Sequence, residues 1–340
     1  MKQLSSEELL TKIEKAHLVG RGGSGYSTAT KWKEMFAKHH DSIYMAVNGS
    51  EGEPGTLKDG YILKNCLPDL LYGISQAYVI FPQTKSIYLY LRKDYFETYK
   101  DAIENELKNS VPTLPLLMFK EPGGYLCGEN TVLVNAIEQK RLEPRRKPPY
   151  ISEKGLFDKP TIVNNLETFY QIGKIAKDEY RDTRLYSITG AITNPGVYEE
   201  ANTITVFELL AKTNNVLGDT MFVQLGGGAS GIYLTKEELA QTPANRGTGA
   251  LIIYDSTTCS FLSLLTEKLQ FLIGENCGKC TPCREGLYRM HEMVTKGQWN
   301  ETLAKDIAET LAKTSFCGLG VGAGNAFVSL FTKKDQLWKK

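Results

Sequence analysis

Three cysteines lie three positions apart in the segment CGKCTPC, at positions 277, 280 and 283, within a chain of seven cysteines. Thiolates at this C-x2-C-x2-C spacing, completed by one further cysteine, are typical ligands of a [4Fe–4S] cluster. Structural zinc sites more often use two separated pairs of ligands, so a zinc site that staples a helical domain together is the weaker interpretation. Because Gly278 and Pro282 disfavour a regular helix, we expect this segment to wrap around the metal as a loop.

The fourth ligand has to come from elsewhere in the chain, and the candidates are Cys66, Cys127, Cys259 and Cys317. Cys317 lies in the glycine-rich turn SFCGLGVGAGNAF after a predicted helix, where the backbone can approach a cluster closely. Cys66 and Cys259 lie in apolar or helical contexts that are typical of small buried side chains. The residues therefore favour Cys317.

The segment GRGGSG at 20–25 could bind a phosphate group. Its glycines let backbone amides face an anion, the predicted helix after it offers a positive N-terminus, and Arg21 and Lys31 add charge. A helix rather than a strand is predicted before it, so the dinucleotide fingerprint is incomplete. On these residues alone, a flexible linker between two helices is an equally good interpretation.

Two further polar loops, NGSEGEPGTLKD and GGYLCGENT, share this glycine-rich character. The first follows a predicted strand, the usual place for a ligand in an open α/β sheet, and carries Asn48, Glu51 and Glu53, which could hydrogen-bond to ribityl or ribose hydroxyls. The second has Glu129 before a predicted helix. Each loop alone is more typical of solvated surface. Three such loops followed by an iron–sulfur motif indicate a nucleotide-like redox cofactor that passes electrons to a cluster.

The elements that must position these motifs predict an α/β protein with additional domains. Strands at 42–49 and 86–92 alternate with helices at 28–39, 67–80 and 94–110, which indicates a mostly parallel sheet. A helix is predicted to resume at about 163. Alternating strands with an NPG hairpin turn then predict a mostly β domain, and three amphipathic helical segments follow. We expect domains at 1–180, 181–255 and 256–340.

Composition narrows the class of protein and its compartment. Forty basic residues against 39 acidic residues give no support for a nucleic-acid partner. No apolar run is long enough to span a membrane, and the start of the chain has no signal-peptide pattern. An odd number of cysteines with three clustered suits a reducing compartment, so we expect a cytoplasmic protein.

The motifs together resemble those of the flavin-binding subunit of NADH dehydrogenase complexes, which respiratory complex I shares with soluble NAD-linked hydrogenases and formate dehydrogenases. The resemblance is carried by GRGGSGYSTATKW, VNGSEGEPGTLKD, YLCGENTVL, the proline-rich run with VNNLETF, SITGAITNPGVYE, and GENCGKCTPCREG with FCGLG. They occur in the family's order from residue 20 to about 330. The resemblance implies a Rossmann-like FMN-binding α/β domain, then a β-grasp (ubiquitin-like) domain, then a C-terminal helical bundle that holds the cluster.

The resemblance also implies roles for individual residues. Thirteen positions would hold FMN: Gly20, Arg21, Gly22, Gly23, Lys31, Asn48, Glu51, Tyr125, Gly128, Glu129, Asn164, Asn165 and Thr168. Five positions would line the NAD(P)H site over the flavin: Tyr26, Glu53, Asn130, Lys147 and Tyr150. The [4Fe–4S] ligands would be Cys277, Cys280, Cys283 and Cys317. No catalytic acid or base is expected, because the chemistry belongs to the cofactor.

Two positions depart from the family's pattern. The family motif NADEGEPG has an aspartate where this chain has Ser50, and the family's CGEE is CGEN here, so Asn130 replaces a carboxylate. A lost carboxylate removes an acceptor for ribose hydroxyls and also removes repulsion of a 2′-phosphate. We therefore expect a weakened preference for NADH over NADPH.

The implied function is an electron-transfer subunit that exchanges electrons between NAD(P)H and an iron–sulfur chain. Further cluster domains that some relatives carry are not expected in this chain. Its partners would be a small thioredoxin-like [2Fe–2S] subunit and a catalytic oxidoreductase subunit, such as a hydrogenase or formate dehydrogenase. The alternatives are a flavin and iron–sulfur relay that has lost NAD(P)H binding and takes electrons from a protein, and a structural subunit with zinc and an empty cleft.

Overall fold

The computed structural model describes residues 4–339, and these form two compact units. The first unit comprises the chain up to Gly52 together with Leu57–Thr183, and the second comprises Glu53–Thr56 together with the chain from Arg184 onward. The loop that contains Glu53 therefore belongs to the second unit, although the segments on both sides of it belong to the first. Within residues 4–339, no helix combines the length and the apolarity that crossing a membrane requires.

The first unit is an α/β structure around a four-stranded parallel sheet of order β3-β2-β1-β4. The strands are β1 (Ile43–Gly49), β2 (Thr84–Leu91), β3 (Leu116–Lys120) and β4 (Thr161–Asn165). The helices are α1 (Ser6–Lys15), α2 (Thr28–Ala37), α3 (Lys58–Asn65), α4 (Leu67–Ile80), α5 (Lys93–Ser110), α6 (Asn130–Ile137) and α7 (Leu166–Ala176). The predicted parallel sheet with alternating helices is confirmed.

One predicted boundary in this unit is wrong. The sequence predicts a helix from about residue 163, but residues 161–165 form β4, which pairs in parallel with β1, and α7 begins only at Leu166. Pairing with a neighbouring strand far away in sequence stabilises the extended conformation here. Asn165 then caps α7, because its side chain accepts a hydrogen bond from the Glu167 amide.

Helices α4 and α7 cross very closely in this unit. A Cβ atom added to Gly73 on α4 would lie 1.8 Å from the carbonyl oxygen of Phe169 on α7, and one added to Gly173 would lie 2.5 Å from the carbonyl oxygen of Asp69. Only glycine permits this approach, which packs α7 beside the sheet and fixes the direction of its N-terminus.

The second unit begins with a five-stranded mixed sheet of order β6-β5-β9-β7-β8. The elements are β5 (Thr183–Gly190), β6 (Gly196–Ala201), α8 (Val206–Lys212), β7 (Met221–Leu225), β8 (Ile232–Leu234) and β9 (Ala250–Asp255). Strand β9 pairs in parallel with β5 and antiparallel with β7. A core of buried aliphatic side chains, including Ile188, Leu209 and Leu251, joins α8 to this sheet.

Four helices complete the second unit, as the periodicity of the sequence predicts for most of them. They are α9 (Phe261–Glu275), α10 (Thr281–Thr295), α11 (Glu301–Thr314) and α12 (Gly318–Leu337). A Cβ atom on Gly324 of α12 would lie 2.3 Å from the amide nitrogen of Ala312 on α11, so these two helices pack closely. The short connections between the helices contain the cysteine segment and the turn with Cys317.

Candidate functional site

The glycine-rich loop at 20–25 connects α1 to α2 and lies against the N-terminus of α7. The Gly20 amide donates to the Tyr26 carbonyl at 2.8 Å, and the Arg21 amide donates to the Thr168 hydroxyl at 3.1 Å. A Cβ atom on Gly22 would lie 3.3 Å from the Cβ of Asn165, and Gly23 has a φ of 111°. The structure therefore brings the predicted residues Gly20 to Gly23, Asn165 and Thr168 together beside two helix N-termini, an arrangement suited to an anion.

The side chain of Arg21 makes hydrogen bonds that hold this loop in place. Its side chain is buried, and its Nη2 atom donates to the Tyr180 hydroxyl at 3.2 Å and to the Thr183 carbonyl at 3.1 Å. The guanidinium thus anchors the loop to the end of the first unit. Lys31, on α2, donates to the Val163 carbonyl in β4, and burial lowers the pKa of its ammonium to about 8. Trp32, the next residue, donates to the Asn164 side chain at 3.1 Å.

The loop after β1 meets the 3-10 turn Tyr125–Gly128 that precedes α6. The Asn48 amide group donates to the Gly128 carbonyl at 2.9 Å, and its Oδ1 atom accepts from the Ser50 amide at 3.2 Å. A Cβ atom on Gly52 would lie 3.0 Å from the Cα of Tyr125. Three of the predicted flavin residues, Asn48, Tyr125 and Gly128, are therefore adjacent at the carboxyl end of the parallel sheet.

The carboxylate of Glu51 is used within the protein to hold the start of α3. Its Oε1 accepts from the Asp59 amide at 2.8 Å, and its Oε2 accepts from the Gly60 amide at 3.2 Å and from the Tyr95 hydroxyl at 2.5 Å. Burial and the nearby Asp59 carboxylate raise the pKa of Glu51 to about 7, against the opposing effects of Lys58 and these hydrogen bonds.

The side-chain amide of Asn165 is saturated by hydrogen bonds inside the protein. Its Oδ1 accepts from Lys58 Nζ at 2.7 Å and from the Glu167 amide at 3.1 Å. Its Nδ2 donates to the Asn48 carbonyl at 3.1 Å and to Asp59 Oδ2 at 2.8 Å. An amide side chain offers two donors and two acceptor positions, so this group positions the loops around it and has none left for a ligand.

Asn130 and Lys147, predicted for the nucleotide site, lie beside Glu129, which is predicted for the flavin. Glu129 caps α6 by accepting from the amides of Thr131 and Val132, and its other oxygen lies 3.4 Å from Lys147 Nζ. Asn130 is exposed as the first residue of α6. The predicted Tyr26 and Tyr150 are each 55% exposed, which leaves their rings accessible for stacking.

Glu53 lies in the second unit, where a glycine-rich loop that the sequence motifs do not include holds its carboxylate. Oε1 of Glu53 accepts from the Ala229 amide at 2.8 Å and the Ser230 amide at 3.2 Å. The buried Gln224 side chain fastens this loop by donating to the Gly228 carbonyl at 3.1 Å and the Gly231 carbonyl at 3.2 Å. The segment QLGGGASG is a visible signal for it, because such loops present consecutive amides to an anion.

Three of the four predicted cluster cysteines lie at the starts of two helices in the second unit. Cys280 is the N-cap of α10 and Cys317 is the N-cap of α12, while Cys283 lies in the first turn of α10. Burial, together with Cys280, Cys317 and Cys277, raises the pKa of the Cys283 thiol to about 12. The expectation of a loop holds only as far as Cys280, because Pro282 occupies the first turn of α10, where its missing N–H costs nothing.

These residues fit a bound iron–sulfur cluster. Four thiolates that repel one another need cations between them, and the amides at the starts of α10 and α12 favour the negative charge of their caps. Gly278 has a φ of 72°, and its carbonyl accepts from Arg284 Nη1 at 2.8 Å, which closes the turn. In the described residues, no three His, Cys, Asp or Glu side chains form a group that could hold a metal ion as they stand.

Comparison with known proteins gives two family matches within the chain. The model described as the Nuo51 FMN-binding domain matches residues 13–174, and the model described as the NADH-ubiquinone oxidoreductase-F iron-sulfur binding region matches residues 263–337. The first match covers the glycine-rich loop and the β1 loop, and the second covers all four cysteines.

Several curated proteins align with nearly all of the chain. The F subunit of NADH-quinone oxidoreductase from Aquifex aeolicus is 30% identical, over 99% of this chain and 86% of the relative. The protein of the same name from Streptomyces coelicolor is 32% identical, over 96% of this chain and 81% of the relative. The alpha subunit of the NAD-reducing hydrogenase HoxS of Cupriavidus necator is 28% identical, and the chain spans 61% of its length.

A solved structure has the same fold. The crystal structure of an NAD+-reducing [NiFe]-hydrogenase in the H2-reduced state superimposes with a TM-score of 0.88 at 27% identity. The match covers 98% of this chain and 62% of the hydrogenase chain, so this chain spans about three fifths of that relative.

Proposed function

This chain belongs to the family of NADH-quinone oxidoreductase F subunits, and we propose that it exchanges electrons between NAD(P)H and an iron–sulfur chain. FMN would bind in the first unit and one [4Fe–4S] cluster in the second. When bound, FMN supplies the conversion of a two-electron hydride transfer into single electrons that a cluster can take. The observation that carries the proposal is the position of Cys280, Cys283 and Cys317 at the N-termini of α10 and α12, in a chain that also matches the FMN-binding family model.

We assign the residues of the flavin site to two roles. The amides of Gly22 and Gly23, with Lys31, would bind the phosphate, since they combine glycine backbone, positive charge and helix N-termini. Gly20, whose amide donates to the Tyr26 carbonyl, would shape the turn. Asn48, Glu129 and the Tyr125–Gly128 turn would bind the ribityl chain and ring. Residues whose polar groups are used internally would hold this frame in place: Arg21, Glu51, Asn164, Asn165 and Thr168.

The nucleotide would bind beside Asn130 and Lys147, with the exposed rings of Tyr26 and Tyr150 stacking against its bases. Lys147 offers a cation for phosphate groups, and Asn130 presents an uncharged amide at the start of α6. Cys277, Cys280, Cys283 and Cys317 would ligate the cluster.

We also propose three domains, at 1–180, 181–255 and 256–340. The central one would be a β-grasp domain. Its strand order β6-β5-β9-β7-β8, with α8 after the first hairpin and the last strand parallel to the first, supports this assignment.

The partners would be a small thioredoxin-like [2Fe–2S] subunit and a catalytic oxidoreductase subunit. The relatives are subunits by name, of NADH-quinone oxidoreductase and of an NAD-reducing hydrogenase, which supports work within a larger complex. We propose a cytoplasmic location, because a reducing compartment keeps the cysteine thiols of the cluster site reduced.

The test is an anaerobic titration of the purified protein with NADH and then NADPH, followed in the visible spectrum. Bleaching of the flavin at near-stoichiometric nucleotide would support the dehydrogenase. A flavin and cluster that dithionite reduces but neither nucleotide does would instead support a relay protein with a protein donor. Colourless protein that contains zinc would overturn both.

A further inference from the structure

A buried hydrogen bond joins two side chains at the carboxyl edge of the parallel sheet. The Ser50 hydroxyl, directly after β1, donates to Oε2 of Glu121, directly after β3. Ser50 is 1% exposed and Glu121 is 5% exposed. The Glu121 amide donates to the Leu91 carbonyl at 2.9 Å, which fixes Glu121 at the end of β2 as well. A carboxylate is thus enclosed at the edge where α/β sheets bind ligands.

This pair contacts the residues assigned to the flavin. The Ser50 amide donates to Asn48 Oδ1, and a Cβ atom on Gly128 would lie 3.4 Å from the Ser50 hydroxyl. Asn48 in turn donates to the Gly128 carbonyl. Glu121 is therefore one hydrogen bond away from the loop pair that would enclose the flavin ring.

The sequence contains a matching gap. The family motif NADEGEPG carries an aspartate at the position of Ser50, and this chain has lost that carboxylate. The carboxylate of Glu121 accepts a hydrogen bond from Ser50, the residue that replaces this aspartate. FMN brings an N–H group and ribityl hydroxyls, which can donate hydrogen bonds to a carboxylate.

We propose that Glu121 is a flavin-binding residue, which supplies from the end of β3 the carboxylate that the family's motif carries at position 50. This inference rests on the FMN site proposed above. It assigns to Ser50 the role of a positioning residue, whose hydroxyl orients the carboxylate. Tyr90 lies near this pair, since burial, Cys127 and Glu121 together raise the pKa of its phenol.

The assignment has an electrostatic consequence for the flavin. A fixed negative charge beside FMN disfavours the added negative charge of reduction, so it lowers the midpoint potential. A residue that only joins β1 to β3 would alter stability and leave FMN affinity unchanged. The affinity together with the potential therefore distinguishes binding from a structural role.

The experiment compares Glu121→Gln, Ser50→Asp and the double variant. FMN affinity is measured by fluorescence quenching when FMN is added to flavin-free protein, and the flavin midpoint potential by spectroscopic titration. We expect Glu121→Gln to weaken FMN binding by about fivefold or more and to raise the potential, since a charged hydrogen-bond acceptor is lost. Ser50→Asp sets two carboxylates against each other and should also weaken binding.

The double variant S50D/E121Q restores a single carboxylate at the family's position. It should recover FMN affinity to within about threefold of the wild type and return the potential toward the wild-type value. The matched control is S110D/E106Q on α5, where Ser110 also donates to a glutamate in a solvent-exposed setting. That control should change neither quantity.

Each failure has a separate meaning. If wild-type protein binds no FMN, the proposed function fails. If FMN binds and Glu121→Gln changes only thermal stability, or if the losses in S50D/E121Q simply add, the inference about Glu121 is overturned. Should S50D fail to fold, the comparison of E121Q with the double variant still decides between these outcomes.

Discussion

The ammonium of Lys58 donates to Oδ1 of Asn165 over 2.7 Å, which ties the start of α3 to the end of β4. The same ammonium pairs with Asp59 at 2.8 Å and with Glu167 at 3.2 Å, and all three charged side chains are almost completely buried. A single cation thus partly offsets the charge of two buried carboxylates beneath the proposed flavin site. Its contacts also fix the orientation of the Asn165 amide.

Replacement of Lys58 by methionine should therefore lower the free energy of unfolding by about 3–5 kcal/mol, because it leaves buried carboxylates without their counter-charge. Urea denaturation of the flavin-free protein measures this. The control is Lys85→Met on β2, an exposed lysine whose loss should change stability by less than about 0.5 kcal/mol. A loss below about 1 kcal/mol for Lys58→Met would contradict the role of this network.

Glu51 should make stability fall as the pH rises. Its carboxyl pKa is about 7 in the fold against 4.5 in an unfolded chain, so between these values the folded state holds a proton that the unfolded chain has released. The contribution of this group is therefore greatest at low pH, decreases from pH 4.5 to about 7 and is constant above. Thermal melting of flavin-free protein across this window should show a smaller decrease for Glu51→Gln.

The quantity to compare between wild type and variant is the slope of the melting temperature against pH, because other carboxyls titrate in the same pH range. The pKa of Asp59 is also raised by burial, so Asp59 keeps a pH dependence of the same sign in the variant. An unchanged slope in Glu51→Gln would refute the assignment of a raised pKa to Glu51.

The crossing of α4 and α7 should be intolerant of a single methyl group. Gly73→Ala would set a Cβ 1.8 Å from the Phe169 carbonyl oxygen, so the helices must move apart, at a cost of about 3 kcal/mol in the free energy of unfolding. Gly274→Ala is the matched control. Gly274 is exposed near the end of α9, and no atom lies within 4 Å of an added Cβ. Alanine at this position should raise the free energy of unfolding by about 0.5–1 kcal/mol. Equal effects of the two changes on denaturation would contradict the close packing.

The sequence predicts those features whose chemistry depends on residues that are close together in the sequence. The spacing of Cys277, Cys280 and Cys283 is dictated by the cluster itself, and the phosphate loop needs consecutive glycines before a helix. Both can be found without knowledge of the fold. The alternation of strands and helices likewise indicates the parallel sheet of the first unit.

Other features depend on residues that only the fold brings together. Ser50 and Glu121 are 71 positions apart, and Glu53 meets the Ala229 amide across 176 positions. No local pattern indicates either pair. The helix predicted from about residue 163 is wrong at its start for the same reason, since pairing with β1 makes residues 163–165 part of a strand. Asn165 is singled out by its motif, but its four internal hydrogen bonds are not foreseeable from the sequence.

Asn130 should determine the choice between nicotinamide nucleotides. It stands exposed at the start of α6, where the family motif has a carboxylate, so a 2′-phosphate meets no negative charge there. Asn130→Glu should lower kcat/KM for NADPH relative to NADH by about fivefold or more, since a like charge at about 4 Å costs about 1 kcal/mol or more. Asn130→Gln keeps the amide and should leave the ratio unchanged. A wild-type enzyme that strictly requires NADH would contradict the premise.

Cys317 should be indispensable for the cluster, whereas Cys259 should not. Cys317 caps α12 and acts electrostatically on Cys283 together with Cys277 and Cys280. Replacement of Cys317 by serine should therefore reduce iron well below about four atoms per chain and abolish the cluster's visible absorption. Cys259→Ser should keep both.

Iron and acid-labile sulfide analysis of anaerobically purified protein separates the alternatives for the fourth ligand. If Cys317→Ser retains its cluster while Cys66→Ser, Cys127→Ser or Cys259→Ser loses it, the ligand assignment is wrong. If the wild type contains about one zinc atom per chain and no sulfide, the site is a structural zinc site and the cluster assignment is wrong. The flavin should remain in Cys317→Ser, because its proposed residues lie in the first unit, and loss of both cofactors would indicate misfolding.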